Sequence, residues 1–123
     1  MGKFIKSLGY AFSGIRTAFV SERNFRIQVV MLCLSVALGL YVGLSIVAWS
    51  LVILSMGFVL VAELFNTAVE RLGDEAAHGA HNGLVKKAKD ISAAAVLLSA
   101  LTALIIGIMF LIVPLIHRLF GLR

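Results

Sequence analysis

Charge is missing from most of this 123-residue sequence. Only 14% of its residues are charged while 61% are hydrophobic, and the mean hydropathy is +1.05. From Ile27 to Ala62 there are 36 successive positions without Asp, Glu, Lys or Arg, and a second uncharged run extends from Ile91 to His117. A chain this short cannot hide so much apolar surface in one aqueous core, which excludes a water-soluble domain. The single cysteine, Cys33, lies inside an apolar stretch and has no partner, so it reads as a small buried hydrophobe and redox chemistry is not indicated. No phosphate-cradling glycine loop of the Walker or protein-kinase type occurs, and repeats and low-complexity segments are absent. No cleavable signal is expected, because no small-residue cleavage pattern follows a short apolar run. Acidic residues number six against eleven Lys and Arg, a net charge of +5. The excess basic residues flank the apolar runs and form no single stripe, a pattern that suits a membrane surface and anionic phosphates better than nucleic acid.

What is present sets the organisation. Phe4, Leu8, Phe12, Ile15 and Phe19 recur at spacings of three and four, with Lys3, Lys6, Ser13 and Arg16 mainly off that stripe. This predicts an amphipathic surface helix over 1–22, lying in the plane of the membrane interface. A spanning helix needs about 20 residues, so the first uncharged run holds two spans, 25–42 and 47–70, joined by a turn between Gly39 and Ser45. Tyr41 and Trp49 near that turn suit an interfacial aromatic belt. Residues 71–90 read as a polar loop containing Gly73, Gly79 and Gly83, and a third span over 91–114 ends at Pro114. The expected fold is an all-α membrane protein, a single domain over 1–123. Nine Lys and Arg lie in the N-terminal segment and the 71–90 loop, whereas the turn has none and the tail has only Arg118 and Arg123. The positive-inside rule therefore puts the N-terminus and the 71–90 loop in the cytoplasm.

Against this apolar background the few acids stand out. Glu63, Asn66 and Glu70 are spaced i, i+3, i+7 and share one helical stripe at the cytoplasmic end of the second span. A carboxylate at membrane depth is costly and implies a protein interior, a partner charge or a metal. Glu22 ends the surface helix at the same depth, and Lys89-Asp90 opens the third span opposite. Neighbouring carboxylates repel unless a proton or a cation intervenes. Two or three of them, with water and phosphate oxygens, make a natural Mg²⁺ site. A lysine and helix N-terminal amides nearby would hold phosphates, and a partly desolvated carboxylate could take a proton from an alcohol. The set suits phosphoryl transfer to a hydroxyl.

The same residues carry a family resemblance. The stretch Ala62-Glu63-Leu64-Phe65-Asn66-Thr67-Ala68-Val69-Glu70, followed by Ala88-Lys89-Asp90-Ile91-Ser92-Ala93-Ala94-Ala95-Val96, closely resembles the prokaryotic diacylglycerol kinase and undecaprenol kinase family. Gly14-Ile15-Arg16-Thr17-Ala18-Phe19 and Glu22-Arg23-Asn24-Phe25-Arg26 match it too. The resemblance implies a homotrimer of three-span subunits in the bacterial inner (plasma) membrane, using MgATP to phosphorylate a membrane lipid alcohol. It makes Glu63 the general base and gives magnesium to Glu22 and Glu70. It implies nucleotide contacts at Tyr10, Glu22, Asn66, Glu70, Asp74, His81, Asn82, Lys89 and Asp90. Phe12, Arg16, Phe19 and Arg26 match positions near the lipid. The Glu22-Arg23-Asn24 segment and the extension past Pro114 are more similar to undecaprenol kinases, so undecaprenol is the expected acceptor and diacylglycerol the alternative.

Two departures and several plainer readings stand beside this. The Ala76–Gly83 stretch is about one residue longer than the family pattern, and Gly73 interrupts an apolar position and would loosen that helix end. Glu70, Arg71, Asp74 and Glu75 alone would be an ordinary solvated helix end. His78 and His81 read as solvated histidines rather than a metal pair, and Lys86-Lys87 as an interfacial anchor. The small residues of the third span, Ala93 to Gly107, suit close helix packing. A proton-coupled transporter would place its acid mid-span and has no need of Lys89-Asp90. A holin-like structural protein leaves Asn66, Glu70, Lys89 and Asp90 without a purpose.

Overall fold

The computed structural model describes residues 1–122, and among them every regular element is helical. Helix α1 (Gly2–Ser21) is followed after one residue by α2 (Arg23–Val42), then α3 (Ile46–Ala77) and α4 (Gly83–Gly107). A π-helical turn, Ile108–Ile112, joins α4 directly to α5 (Val113–Phe120). Three stretches are long and apolar enough to cross a membrane: Arg23–Val42, Ile46–Ala77 and Gly83–Phe120. The chain is an all-α membrane protein. Large apolar side chains are exposed on every helix, and Cys33 is among the exposed residues rather than buried. A hydrocarbon solvent imposes no cost on such faces.

The breaks follow from local chemistry. Glu22 alone is extended, at φ −106°, ψ 113°, and Arg26 reaches back from α2 to donate to the Phe19 and Val20 carbonyls at 2.9 and 2.8 Å. Those are orphan carbonyls of the α1 C-terminus, and a cation is favoured there. Helix α2 stops at Gly43, whose φ of +78° suits a residue without Cβ. Ser45 then caps α3 by accepting from Ala48 N at 3.2 Å. Gly39 belongs to α2 rather than to the turn, and its missing side chain makes room for Trp49. A Cβ there would lie 2.7 Å from the indole ring.

The polar 71–90 segment is mostly helix, contrary to the sequence expectation. Helix α3 runs on to Ala77 and α4 begins at Gly83, leaving only His78–Asn82 outside helices. Leaving the bilayer does not break the backbone ladder, and solvated polar residues sustain it. The break falls where His78 and Gly79 take positive φ of 47° and 75°. Asn82 restarts the chain by accepting from Leu84 N and Val85 N at 3.0 and 3.2 Å. Gly73 does not loosen α3. It lets α4 approach, since a Cβ at Gly73 would lie 2.9 Å from Val85 Cγ1 and 3.1 Å from Lys89 Cε. Pro114 does not end the third span either. Proline lacks an N–H and its ring crowds the preceding turn. The chain loosens to π geometry just before it, with Val113 N bonding Ile108 O, and helix resumes to Phe120.

Helix α3 is the centre of the bundle. Its buried residues are Ala48, Val52, Ser55, Met56, Val59, Glu63, Asn66 and Thr67, one face at helical spacing. That face is mainly apolar up to Val59 and polar from Glu63 onward. Helix α4 packs along α3 yet buries none of its own residues.

Candidate active site

The polar continuation of the α3 stripe collects the residues singled out from sequence. Glu63 is 3% exposed, and its Oε2 has no hydrogen-bond partner. The Asn24 side chain of α2 lies beside this carboxylate, and Glu22 and Glu70 are close enough to act on it electrostatically. One turn on, buried Asn66 donates from Nδ2 to Glu70 Oε1 at 3.3 Å, and Ser92 on α4 donates from Oγ to Asn66 Oδ1 at 2.7 Å. Farther along, Lys89 pairs with Asp74 across the close approach at Gly73. These two residues, with His81, Asn82 and Lys86, line a cavity of about 420 Å³ at the α3–α4 turn.

The surface helix is tied in from the side. Arg71 Nη2 donates to Ser21 Oγ at 2.6 Å and lies 3.4 Å from Glu22 Oε1. Ser21 also donates to Glu22 Oε1 at 2.9 Å. A cavity of about 530 Å³ lies between α1 and α3, lined by Gly14, Ile15, Ala18, Leu64, Thr67 and Arg71 among others. On the membrane side of Glu63 an apolar cavity of about 440 Å³ opens between α2, α3 and the α4–π segment, with Met56, Val59 and Gln28 in its wall. Met56 and Val59 precede Glu63 by seven and four residues, so this cavity lies below the carboxylate on the same helical face.

Glu22, Glu63, Asn66 and Glu70 thus converge, with Asp74, Lys89, His81 and Asn82 beyond them toward the turn. Other positions are spent differently. Asp90 pairs with Lys86 at 2.7 Å on the exposed face of α4. Asn82 uses its side-chain oxygen as a helix cap. Arg26 is held on the α1 carbonyls, and Tyr10, Phe12, Arg16 and Phe19 are exposed on α1. Four participants escaped the sequence reading: Ser21, Asn24, Arg71 and Ser92. Asn24 and Ser92 lie inside the quoted motif segments, but which side chain each meets depends on how α2 and α4 pack on α3.

Among the described residues no three of His, Cys, Asp and Glu form a ready metal cluster. Magnesium does not need one, because it keeps water and takes phosphate oxygens beside one or two carboxylates. Glu22 and Glu70 supply hard oxygen donors of that kind, flanking a buried carboxylate oxygen with no partner of its own. The residues fit a magnesium–nucleotide complex rather than a metal held by protein alone.

Comparison with known proteins decides the family. The description of prokaryotic diacylglycerol kinase matches residues 9–111 of the chain. The chain belongs to the prokaryotic diacylglycerol kinase family. It is 36% identical to the undecaprenol kinase of Bacillus subtilis over 109 residues, covering 89% of this chain and 88% of that one. It is 32% identical to the diacylglycerol kinase of Escherichia coli K12 over 103 residues, 84% of each. A diacylglycerol kinase of Synechocystis is 36% identical over 109 residues, 89% of this chain but only 62% of the relative, whose length it therefore spans by less than two thirds. Prokaryotic diacylglycerol kinase family members bearing these names are lipid kinases, a class of transferase.

Proposed function

We propose that this family member phosphorylates a membrane lipid alcohol at the inner face of the bacterial plasma membrane, using ATP and magnesium, with undecaprenol preferred over diacylglycerol. The observation that carries the reading is Glu63: a buried carboxylate oxygen with no partner, above an apolar cavity and beside two further carboxylates. A lipid alcohol entering from the bilayer would bring its chain along the apolar wall and its hydroxyl to Glu63. Glu63 Oε2 then accepts the hydroxyl proton while the alcohol oxygen bonds to the γ-phosphorus and the bond to the β-phosphate oxygen breaks, leaving ADP. Glu22 and Glu70 would hold magnesium, which when bound neutralises charge on the phosphates. Asn66 keeps Glu70 in place, and Lys89 is near enough to trade Asp74 for a phosphate oxygen.

The distribution of basic residues supports a cytosolic nucleotide site. Nine basic residues lie at the Glu63 end, and Arg118 at the other end is bound to Tyr41; Arg123 lies outside the described residues. Assembly as a homotrimer suits a subunit whose α4 buries nothing and whose site lies open. The preference for undecaprenol rests on the Glu22-Arg23-Asn24 segment and on the extension past Pro114. The test is transfer of labelled γ-phosphate from ATP to purified undecaprenol and diacylglycerol in parallel, with Glu63→Gln alongside. Labelled undecaprenyl phosphate in excess, lost in the variant, is expected. Absence of any labelled lipid, or full transfer by Glu63→Gln, overturns the reading.

A further inference from the structure

We infer that Ser92 is a positioning residue for the nucleotide half of the site, anchoring the Asn66 amide that donates to Glu70; this rests on the kinase reading above. Helix α4 carries three hydroxyls. Ser99 and Thr102 bond back to their own helix, to Val96 O at 2.9 Å and Leu98 O at 3.0 Å. Ser92 also has such an acceptor, Lys89 O at 2.9 Å, but among these three it alone meets a side chain on α3, Asn66 Oδ1 at 2.7 Å.

A serine hydroxyl has one proton to donate and lone pairs that accept, whereas an asparagine amide has an accepting oxygen and a donating nitrogen. While the Ser92 proton lies on Oδ1, Nδ2 must point the other way, where Glu70 Oε1 receives it at 3.3 Å. Turned over, the amide would set its oxygen against a carboxylate oxygen, two acceptors with no proton between them. Asn66 is only 9% exposed, so water does not readily take over the lost bond. Glu70 dictates which end of the amide it meets; Ser92 anchors the other end, and so steadies the carboxylate proposed to meet magnesium. Sequence places Ser92 three residues after Lys89, one helical turn, so Lys89 and the Asn66 anchor move as one unit of α4.

The experiment compares Ser92→Ala, Ser92→Thr and the control Ser99→Ala in the full chain in detergent micelles. Alanine is a strong helix former and leaves α4 intact. In Ser92→Ala the KM for MgATP is expected to rise about tenfold, the effect of one lost part-buried hydrogen bond, with kcat and the lipid KM within twofold. Mn²⁺ affinity measured with a non-hydrolysable ATP analogue falls by a similar factor. Threonine restores both, and Ser99→Ala changes neither. The side-chain amide resonance of Asn66, one of three asparagines, shifts in Ser92→Ala without substrate present. An unmoved Asn66 resonance, an unchanged nucleotide KM in an active enzyme, or a fall confined to kcat overturns the inference. Wild-type protein that labels no lipid defeats the kinase reading instead, and the resonance then still decides the role of Ser92.

Discussion

The two ends of this bundle are held by different chemistry. At the Glu63 end, helices meet through polar side chains on both partners: Ser92 to Asn66, Lys89 to Asp74, Arg71 to Ser21 and Glu22. At the Gly43 end they meet through ring packing and backbone. Trp49 fills the space left by Gly39, and Arg118 donates to the Tyr41 carbonyl at 2.6 Å with its guanidinium 4.6 Å from the Tyr41 ring centre. Partly exposed ion pairs add little to stability, so the polar end is a poor way to fasten helices. It is a good way to keep charged groups ready to exchange partners. One end holds the molecule together and the other is available for chemistry.

That contrast can be broken most severely at Glu63. Glu63→Gln should lower phosphate transfer about a thousandfold, the loss of a general base. It should also leave the melting temperature in detergent equal or higher, because a buried negative charge beside two other carboxylates is removed. A melting temperature that falls sharply would make Glu63 structural. Glu70→Gln should raise the Mg²⁺ concentration for half-maximal activity by about ten- to a hundredfold, with the lipid KM unchanged. Substitution of Arg118 or Trp49 should leave that Mg²⁺ titration where it is.

Gly73→Val sharpens the comparison by acting on both functions. The added methyls meet Val85 and Lys89, so about 1–3 kcal/mol of stability should be lost to overpacking and the KM for ATP should rise as Lys89 is displaced. Arg118→Ala removes one hydrogen bond and one cation–π contact and should cost about 1 kcal/mol, read as a lower melting temperature with kcat within twofold. The smallest effect is expected for Lys86→Ala. Its pair with Asp90 is about two-thirds exposed on both sides, and thermal melting should shift by no more than about 0.5 kcal/mol allows.

Most of the fold was legible because hydrocarbon solvent reduces the sequence signal to length and charge. The uncharged runs pointed to three spans, and three helices are long and apolar enough to cross a membrane; the stripe Glu63-Asn66-Glu70 marked the candidate site from its spacing alone. The misreadings share a cause. Residues 71–90 and Pro114 read as ends because their composition is polar or helix-breaking, yet hydrogen bonding decides where a helix ends. Asn82 and the π turn supply it in ways that composition does not show. Arg26 and Asn82 matched functional positions, but the chain uses their side chains to satisfy helix termini. Ser92 and Arg71 stayed hidden for another reason. Their partners, Asn66 and Ser21, are 26 and 50 residues away, and no local pattern reports which faces of two helices will meet.

The widened turn at Ile108–Ile112 has a consequence for steering. One surplus residue in a helical ladder shifts the azimuth of everything downstream by about 100°, since a full rotation takes 3.6 residues. That offset helps aim Arg118 back at the end of α2. Deleting a single residue there would straighten the rod and swing the guanidinium away from Tyr41, so a proline's effect on five apolar residues governs where Arg118 comes to rest.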